Sequence, residues 1–407
     1  MAQETFVVVG AGLAGASAVA ELREQGFGGR IRLFGSETHA PYIRPPLSKS
    51  YLSGKDALDT VFVRPAAWYA ENDVELVTDQ TVASIDPSGH RVTLADGVAA
   101  PYDRLLLATG SRPRTVGFAG ADLDGVHYFR TLDDSTRVRE RLSGGGARVV
   151  LVGSGWIGME IAATARELGN DVTVLDRGRV PLSSALGDEL GTVFAELHRE
   201  HGVVLRSEVA VAGLVGSEGR VTGVDIGGEI VPADVVVIGV GAVPNVELAQ
   251  AAGLDVDNGI LVDASLRTSD PDVFAAGDVA NPLHPVLGER LRSEHWANAL
   301  KTGPVAARSM LGQAAVYDEI PYFYTDQFDL GMEYSGYAPL AKDATVVYRG
   351  DRASREFVAF WLADGRVVAG MNVNVWDVND DVQRIIRRGS VVDPARLVDE
   401  AVAFGSL

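Results

Sequence analysis

The sequence predicts an α/β protein with two Rossmann-like dinucleotide-binding domains and a C-terminal α+β domain. An apolar run, a glycine-rich turn and a helical segment follow one another twice, with the turns at residues 10–15 and 153–158. We interpret this repetition as one supersecondary unit that is used for two binding sites. From residue 319 onward, aromatic residues become frequent and short strand-like runs appear. A chain of 407 residues is long enough for this number of domains.

The composition limits the chemistry that the chain can perform with its own side chains. It contains no cysteine, which excludes disulfides, thiolate metal sites, cysteine-ligated iron–sulfur clusters and cysteine nucleophiles. Redox chemistry would therefore depend on a bound cofactor, and we predict no metal site. The formal net charge of −19 disfavours nucleic acid and anionic membranes as partners. Neither a signal-peptide pattern nor an apolar run of about 18 residues is present, so we expect a cytoplasmic protein.

The first copy of the repeated unit begins with a predicted strand at Thr5–Val9. Its glycine turn leads into a predicted helix at 16–25, and a second strand is predicted at Arg30–Phe34. Glu37 stands just beyond the end of that second strand. The region 74–107 shows β-like alternation, ends in a buried strand at 105–108 and is followed by a turn at Gly110.

The second copy has the same order of elements. Strands are predicted at Arg148–Val152 and Asp171–Leu175, with a helix at 159–168 between them and Asp176 at the end of the second strand. The region 203–240 again alternates, ends in a strand at Val235–Ile238 and is followed by a turn at Gly241. Beyond it we predict strands at 345–348 and 357–362 and a helix at 378–388.

The repeated glycines have a direct chemical meaning. A turn without side chains lets backbone N–H groups and a helix N-terminus meet a pyrophosphate, and an acid about 20 positions later can bind a ribose. Two such sites favour two different dinucleotides, a bound flavin and an exchanging nicotinamide. Asp176 would repel a 2′-phosphate and favours NADH, although the nearby Arg177 and Arg179 could receive one. The alternative is a pair of ordinary glycine turns in an α/β protein.

Three further residues are candidates for the site. Asp278, in a Gly-Asp pair at a strand end, can bind a polyol hydroxyl of a flavin side chain, or it can belong to an ordinary turn. Lys49 is one of the chain's few lysines and could tune the electronics of a reduced flavin, or it could be a solvated surface residue. Glu160, predicted in the first turn of the second nucleotide helix, could serve the nicotinamide or only stabilise the helix dipole.

Two apparent metal motifs are not expected to bind metal. His198 and His201 lie three positions apart on a predicted helix, where we expect a solvated face. The segment from Asp377 copies the opening of a calcium loop, but its sixth and twelfth positions are Val382 and Arg388 instead of glycine and glutamate.

The ordered motifs GAGLAG, RPPLSK, ATGSRPR, GSGWIGME, GVGAVPN, FAAGDVA, SEHWANA and PYFYTDQ resemble those of a known family along nearly the whole chain. The family is that of the NADH-dependent ferredoxin reductases that serve aromatic-ring dioxygenases and cytochrome monooxygenases, within the glutathione reductase structural superfamily. The resemblance implies an FAD domain formed by residues 1–112 and 241–318. It also implies an NAD domain at 113–240 and a C-terminal domain at 319–407 that covers the flavin.

The resemblance also assigns residues to the two cofactors. It implies catalytic-site roles for Lys49 and Glu160, with Glu160 near the nicotinamide and able to pair with the lysine. The FAD-binding positions are Gly10, Gly12, Ala14, Gly15, Ser36, Glu37, Arg44, Lys49, Val82, Ala108, Gly110, Arg130, Gly277, Asp278 and Trp296. The NAD-binding positions are Gly153, Gly155, Ile157, Gly158, Glu160, Asp176 and Gly241. Ser36 stands where the family often has an acid, so either Ser36 or Glu37 is expected at the ribose.

The implied reaction passes a hydride from NADH to FAD and then single electrons to a small iron–sulfur protein, a [2Fe–2S] or related ferredoxin that feeds an oxygenase. Arg64 and Arg292 match docking positions, and Arg384, Arg387 and Arg388 form a second basic cluster; all five could equally be solvated. Tyr324 replaces the family's usual tryptophan. Another acceptor, namely rubredoxin, a quinone or oxygen, and a non-catalytic flavin and NADH sensor remain alternatives.

Overall fold

The computed structural model describes residues 3–407, which form two compact units. The first unit comprises the chain up to Ile43 together with Asp59–Arg112 and Val243–Pro321. The second unit comprises Arg44–Leu58, Pro113–Ala242 and Tyr322–Leu407. The short strands Ser111–Pro113 and Ala242–Pro244 contain two of the boundaries between these segments.

The first unit is built on a parallel five-stranded sheet with Thr5–Val9 at its centre. Its strands run in the order Val273–Ala275, Arg104–Leu107, Thr5–Val9, Arg30–Phe34 and Val74–Val77. Val7 pairs with Arg32 on one side and with Leu105 on the other. The helices Leu13–Glu24 and Trp296–Met310 pack against each other, and Phe6, Val7 and Val8 are buried.

The remaining elements of the first unit are short. An antiparallel sheet consists of Val82–Asp86, Arg91–Leu94 and Ala99–Pro101. Ile260–Val262 pairs in parallel with Ala280–Pro282. The helices are Ala66–Glu71 and Glu247–Ala251, with a 3₁₀ turn at Gly277–Val279.

The second unit repeats the parallel sheet of the first. Its strands run in the order Val204–Arg206, Asp171–Leu175, Arg148–Val152, Val235–Ile238 and Val126–Tyr128. A separate antiparallel sheet consists of Gly213–Ser217, Arg220–Asp225 and Ile230–Pro232, which precede the strand Val235–Ile238 in sequence. The associated helices are Ser50–Ser53, Leu132–Leu142, Trp156–Glu167, Ser183–Leu186 and Asp188–Glu200, after a 3₁₀ turn at Pro45–Ser48.

The C-terminal part of the second unit is an antiparallel five-stranded sheet. The strand order is Tyr322–Gln327, Leu330–Gly336, Arg366–Val373, Glu356–Ala363 and Thr345–Asp351. The helices Asn379–Arg388 and Pro394–Val398 follow it. One hydrophobic cluster joins Met159 and Ile161 of the Trp156–Glu167 helix with Met332 and Tyr334 of this sheet. That helix is therefore held against the sheet, which brings its polar side chains to the first strand.

Most predicted strands are confirmed, five of them to the residue, but both nucleotide helices begin earlier than predicted. They start at Leu13 and Trp156 because Gly12 and Gly155 are their N-cap residues. Glu160 therefore lies in the second helical turn, and its prediction as a first-turn residue was wrong. The strand predicted at 105–108 is Arg104–Leu107, and the strands and helix predicted beyond residue 319 are observed with small shifts at their ends.

Within residues 3–407, every helix is too short or too polar to cross a lipid bilayer. The α/β fold class with two Rossmann-like sheets and a C-terminal α+β region is confirmed.

Candidate dinucleotide and redox site

In the glycine turn of the first unit, the surrounding backbone leaves no room for a side chain at two of the glycines. A Cβ on Gly10 would lie 2.1 Å from the Ala108 carbonyl oxygen, and a Cβ on Gly15 would lie 2.1 Å from the Gly10 carbonyl oxygen. Gly12 is different, because no described atom lies within 4 Å of a Cβ placed there. Its φ of −91° is also open to any residue. The protein fold therefore gives no reason for glycine at position 12.

The turn of the second unit has the same arrangement. A Cβ on Gly153 would approach the Gly239 carbonyl oxygen to 2.3 Å, and one on Gly158 would approach the Gly153 carbonyl oxygen to 2.5 Å. Around Gly155 the described structure again leaves a Cβ without a neighbour within 4 Å. Ile157, one residue into the helix, is exposed although it is apolar. Both features leave this helix N-terminus accessible to a ligand.

These two helix N-termini fit a pyrophosphate. Neither Gly12 nor Gly155 provides a side-chain cap, so the first N–H groups of both helices are available to an anion. A methyl group at either position would occupy the space through which a phosphate approaches the backbone. The missing side chain at the second glycine of each turn thus has an explanation in a bound dinucleotide and none in packing.

The acids beyond the second strands are held in place. Glu37 accepts a hydrogen bond from the Tyr42 hydroxyl and is half-buried, whereas the neighbouring Ser36 is exposed. Asp176 accepts from the backbone N–H groups of Ser154 at 2.7 Å and Gly178 at 2.5 Å. The Asp176 carboxylate oxygens retain lone pairs for a ribose diol.

The other predicted residues of the first unit lie on several of its elements. Asp278 is buried and accepts a hydrogen bond from the Ser111 hydroxyl at 3.1 Å. Gly277 has a φ of +74°, and its N–H donates to the Thr302 hydroxyl. Gly110 also has a positive φ, of +65°, at the turn that follows its strand. Val82 begins a strand and is buried, Ala108 lies beside Gly10, Ala14 is buried on the first nucleotide helix, and Trp296 begins its helix.

In the second unit, Lys49 and Glu160 form an ion pair with an Nζ–Oε1 distance of 3.0 Å. Lys49 lies between the Pro45–Ser48 turn and the Ser50–Ser53 helix, and Glu160 comes from the Trp156–Glu167 helix. The two side chains are 16% and 5% exposed, so this pair is largely removed from water. The solvated-lysine alternative for Lys49 and the helix-dipole alternative for Glu160 therefore do not describe this structure.

Glu160 receives two more hydrogen bonds. The Ser48 hydroxyl donates to Oε2 at 2.5 Å, and the Thr325 hydroxyl donates to Oε1 at 2.7 Å. Buried charge is tolerated only where it is paired and hydrogen-bonded, and this carboxylate has three donors. Sequence reasoning did not identify Ser48 or Thr325 as partners of Glu160, although both lie within the quoted motifs, because local spacing does not show which side chains of separate motifs meet.

A cavity of about 320 Å³ lies beside this pair. Its lining includes Lys49, Lys55, Thr164, Tyr324 and Asp326. The Lys49 ammonium lies 5.2 Å from the centre of the Tyr324 ring, a cation–π distance. Burial raises the pKa of the Asp326 carboxyl, and the Lys49 charge opposes this effect. The cavity thus offers a cation, an aromatic face and polar groups in one place.

The remaining predicted residues of the second unit are Arg44, Arg130 and Gly241. Arg44 donates from Nη1 to the Arg130 carbonyl oxygen at 2.5 Å, so these two predicted FAD residues contact each other. Gly241, with a φ of +103°, is exposed and accepts from the Arg114 N–H.

One expectation for the histidine pair His198 and His201 was wrong. His198 is not on a solvated face; it is fully buried, and its Nε2 lies 2.8 Å from Gln327 Oε1. The pattern failed because the residues that cover His198 come from the C-terminal sheet, with Phe328 packed edge-on at 5.0 Å. His201 is exposed, as expected, and stacks on Phe328.

The predicted docking arginines differ in availability. The Arg64 side chain is 37% exposed, 3.7 Å from Glu24 and 4.6 Å from the Trp68 ring centre. Arg292 is only 13% exposed and forms an ion pair with Glu294 at 2.5 Å. In the C-terminal cluster, Arg384 and Arg388 donate to the carbonyl oxygens of Phe404 and Leu407, so neither is a simple solvated residue.

Two pyrophosphate-fitting turns together with a buried lysine–glutamate pair define an oxidoreductase that works with two dinucleotides. The comparisons with known proteins agree. The pyridine nucleotide-disulphide oxidoreductase family matches residues 4–303, and the reductase C-terminal family matches residues 322–407.

Relatives cover the full length of the chain. The ferredoxin–NAD(+) reductase component of the anthranilate 1,2-dioxygenase system of Burkholderia cepacia is 41% identical over 407 residues, which is 99% of each chain. Putidaredoxin reductase of Pseudomonas putida is 37% identical and covers 98% of this chain and 96% of its own. The crystal structure of the covalent putidaredoxin reductase–putidaredoxin complex matches with a TM-score of 0.95 at 36% identity, over 100% of this chain and 98% of that one.

The chain therefore belongs to the flavoprotein ferredoxin reductases of oxygenase systems, within the pyridine nucleotide-disulphide oxidoreductases. The resemblance seen in the sequence motifs is confirmed. Members of this family are enzymes, and the cofactors are FAD and NAD(H).

Proposed function

We propose that this enzyme passes electrons from NADH through FAD to a [2Fe–2S] or related ferredoxin that feeds an oxygenase in the cytoplasm. The observation that supports the two-cofactor chemistry most directly is the open position at Gly12 and Gly155, one in each nucleotide turn. FAD, when bound, accepts a hydride and releases electrons one at a time, which is the conversion that an iron–sulfur acceptor needs. Full-length similarity to ferredoxin reductases supports the choice of acceptor.

The residues of the chain bind and orient the two dinucleotides. We assign the FAD pyrophosphate to the helix N-terminus at Gly12, its ribose to Glu37 rather than the exposed Ser36, and its side-chain polyol to Asp278. We assign the NADH pyrophosphate to the helix N-terminus at Gly155 and its ribose to Asp176. The remaining predicted contacts, including Arg44, Val82, Arg130, Trp296 and Gly241, belong to the same proposal.

The domain roles are part of this proposal. Residues 1–112 and 241–318 would bind FAD, residues 113–240 would bind NADH, and residues 319–407 would complete the flavin environment. Lys49 would provide a positive charge that Glu160 holds in place, since the two lie 3.0 Å apart. Tyr324 would provide the aromatic face beside that lysine.

The experiment that tests the proposal is reduction of a heme cytochrome by NADH, with and without added putidaredoxin, on the purified yellow protein. We expect a rate that saturates with putidaredoxin, and a much lower rate with NADPH because Asp176 repels the 2′-phosphate. Flavin bleaching by NADH without acceleration by any ferredoxin would leave rubredoxin, a quinone or oxygen as acceptor. Bleaching without turnover with any acceptor would favour the sensor alternative, and a protein that binds no flavin would refute the proposal.

We further propose that the ferredoxin docks near Arg64 and Arg292. Arg64 is the sharper test, because it is exposed whereas Arg292 is mostly engaged with Glu294. The change Arg64→Glu should raise the KM for putidaredoxin about tenfold and leave flavin reduction by NADH unchanged. Arg91→Glu is the matched control, since Arg91 is an exposed, ion-paired arginine of the same unit. Equal effects of the two changes would show that Arg64 acts only through net charge.

A further inference from the structure

A chain of hydrogen bonds leads from the buried His198 to the Glu160 carboxylate. His198 Nε2 lies 2.8 Å from Gln327 Oε1, and Gln327 Nε2 donates to the Thr325 hydroxyl oxygen at 3.2 Å. The Thr325 hydroxyl in turn donates to Glu160 Oε1 at 2.7 Å. We call these four residues the Glu160 chain.

The Glu160 chain has a direction. The Gln327 amide donates to Thr325 through Nε2, so its oxygen faces His198 and can only accept. Nε2 of His198 must therefore carry the hydrogen. Every link then donates toward Glu160, where the Lys49 ammonium and the Ser48 hydroxyl also donate.

The members of the Glu160 chain are almost completely shielded from water. Thr325 and Gln327 are each 1% exposed, and His198 is 0% exposed. Burial lowers the pKa of His198 to about 4, so the ring is neutral at pH 7. Its Nδ1 finds no hydrogen-bond partner among the described residues. Leaving a buried acceptor unpaired costs free energy, and apolar side chains would pack here without that cost.

We propose that Thr325, Gln327 and His198 are positioning residues for the redox site. They orient the Glu160 carboxylate and, through it, fix the Lys49 ammonium that tunes the flavin. This inference rests on the proposed function, in which Lys49 serves the flavin. Without the donors of the Glu160 chain, the Glu160 carboxylate would attract the Lys49 ammonium more strongly and draw this positive charge away from the flavin.

Few other charged and titratable groups lie around the Glu160 chain among the described residues. Lys49, Asp326 and Tyr324 face Glu160, and His201 faces His198. Asp326 and Tyr324 stay in place in each variant described next, so they act as a constant background for any change in pH dependence.

The test compares Thr325→Val and Gln327→Leu with Ser335→Ala. Ser335 is a fully buried hydroxyl on the neighbouring strand that donates to Asn379 and has no link to Glu160. The two-electron midpoint potential of the bound flavin is measured by chemical reduction, and flavin reduction by NADH is followed anaerobically across the pH range in which the wild type stays folded. Thr325→Ser keeps a hydroxyl and should restore wild-type behaviour.

In both test variants we expect a more negative flavin potential, a roughly tenfold slower reduction of the flavin by NADH, and a pH–rate profile that differs from that of the wild type. Potentials and pH profiles equal to those of Ser335→Ala would overturn the inference. The chemical titration does not use NADH, so it decides the inference even if NADH fails to reduce the wild type, a result that would count against the proposed electron donor alone.

A second measurement is independent of these variants. Nitrogen-15 NMR of the histidine side chains in the wild-type holoenzyme reports the tautomer of His198, which is assigned by its loss in His198→Gln. We expect a neutral ring with hydrogen on Nε2 at pH 7. A hydrogen on Nδ1 would reverse the direction of the chain and refute it.

Discussion

At the scale of single residues, the glycines of each nucleotide turn divide into two kinds that substitution should separate. Gly15→Ala places a methyl group 2.1 Å from the Gly10 carbonyl oxygen, so we expect a misfolded or strongly destabilised protein. Gly12→Ala meets no described atom within 4 Å and should fold, at a cost of about 1 kcal/mol for the poorer N-cap. It should nevertheless lose most of its flavin. Thermal unfolding and the ratio of flavin to protein absorbance check both expectations.

Gly155→Ala provides the matched control for the second turn. It should keep its flavin and raise the Kd for NADH at least tenfold, because the added methyl group meets only the incoming pyrophosphate. Full flavin content in Gly12→Ala, together with unchanged NADH binding in Gly155→Ala, would contradict the explanation that a bound pyrophosphate requires glycine at these two positions.

The residues whose place in the fold could be predicted from the sequence are those that local spacing encodes. The glycine turns, Asp176 and Asp278 each follow a strand within a few positions, so their spacing already indicates their place in the fold. The partners of Glu160 could not be found in this way. Thr325 stands 165 positions away and Gln327 stands 129 positions from His198, and only the packing of the C-terminal sheet brings them together.

At the scale of elements, strands were easier to predict than helix ends. The five exact strands are short segments whose buried residues are all apolar. Three of them contain four consecutive buried apolar residues, which is the pattern of a parallel strand covered on both faces. The helix starts were misplaced because Leu13–Gly15 and Trp156–Gly158 read as parts of the glycine turns. The order of strands in each sheet depends on long-range pairing, which local patterns do not contain.

The helix Asp188–Glu200 makes stability depend on pH through His198. Its pKa falls from an ordinary value of 6.5 to about 4 in the folded protein because of burial. The unfolded chain therefore binds the proton first as pH falls, and the stabilising contribution, complete above pH 6.5, is lost toward pH 4. Each unit by which the pH falls in this window should lower the free energy of unfolding by up to about 1.4 kcal/mol.

The measurement is the urea midpoint as a function of pH. In His198→Gln the slope between these two pH values should become shallower, whereas in His201→Gln, at an exposed position of the same segment, it should remain. Equal slopes in the wild type and His198→Gln would show that His198 does not titrate as described.

The helix Asn379–Arg388 holds the end of the chain. Arg384 donates to the Phe404 carbonyl oxygen at 3.0 Å and Arg388 donates to the Leu407 carbonyl oxygen at 2.7 Å. Replacing both arginines with glutamine should speed amide exchange in residues 400–407 roughly fivefold, since exposed contacts of this kind contribute about 1 kcal/mol. Arg137→Gln is the control, because Arg137 is an exposed helical arginine that pairs with Asp134 of its own helix. A raised KM for putidaredoxin in the double variant would instead place the docking surface at this helix.

At the scale of the whole molecule, the net charge of −19 opposes the approach of any ferredoxin that carries a net negative charge. Repulsion between net charges acts over long distances and is screened beyond about 10 Å at 0.1 M salt, whereas contacts with local arginines act at short range. The two effects therefore respond to salt in different ranges.

We expect the NADH-driven reduction of putidaredoxin, at subsaturating concentration, to rise from about 10 mM to about 100 mM salt, because screening removes the long-range repulsion first. At higher salt the rate should fall as the arginine contacts weaken, and Arg64→Glu should lose this falling phase. A neutral quinone as acceptor is the control, since its rate should hardly change with salt. A rate that falls steadily from the lowest salt concentration would mean that the local basic surface governs association at every distance, despite the net negative charge of the protein.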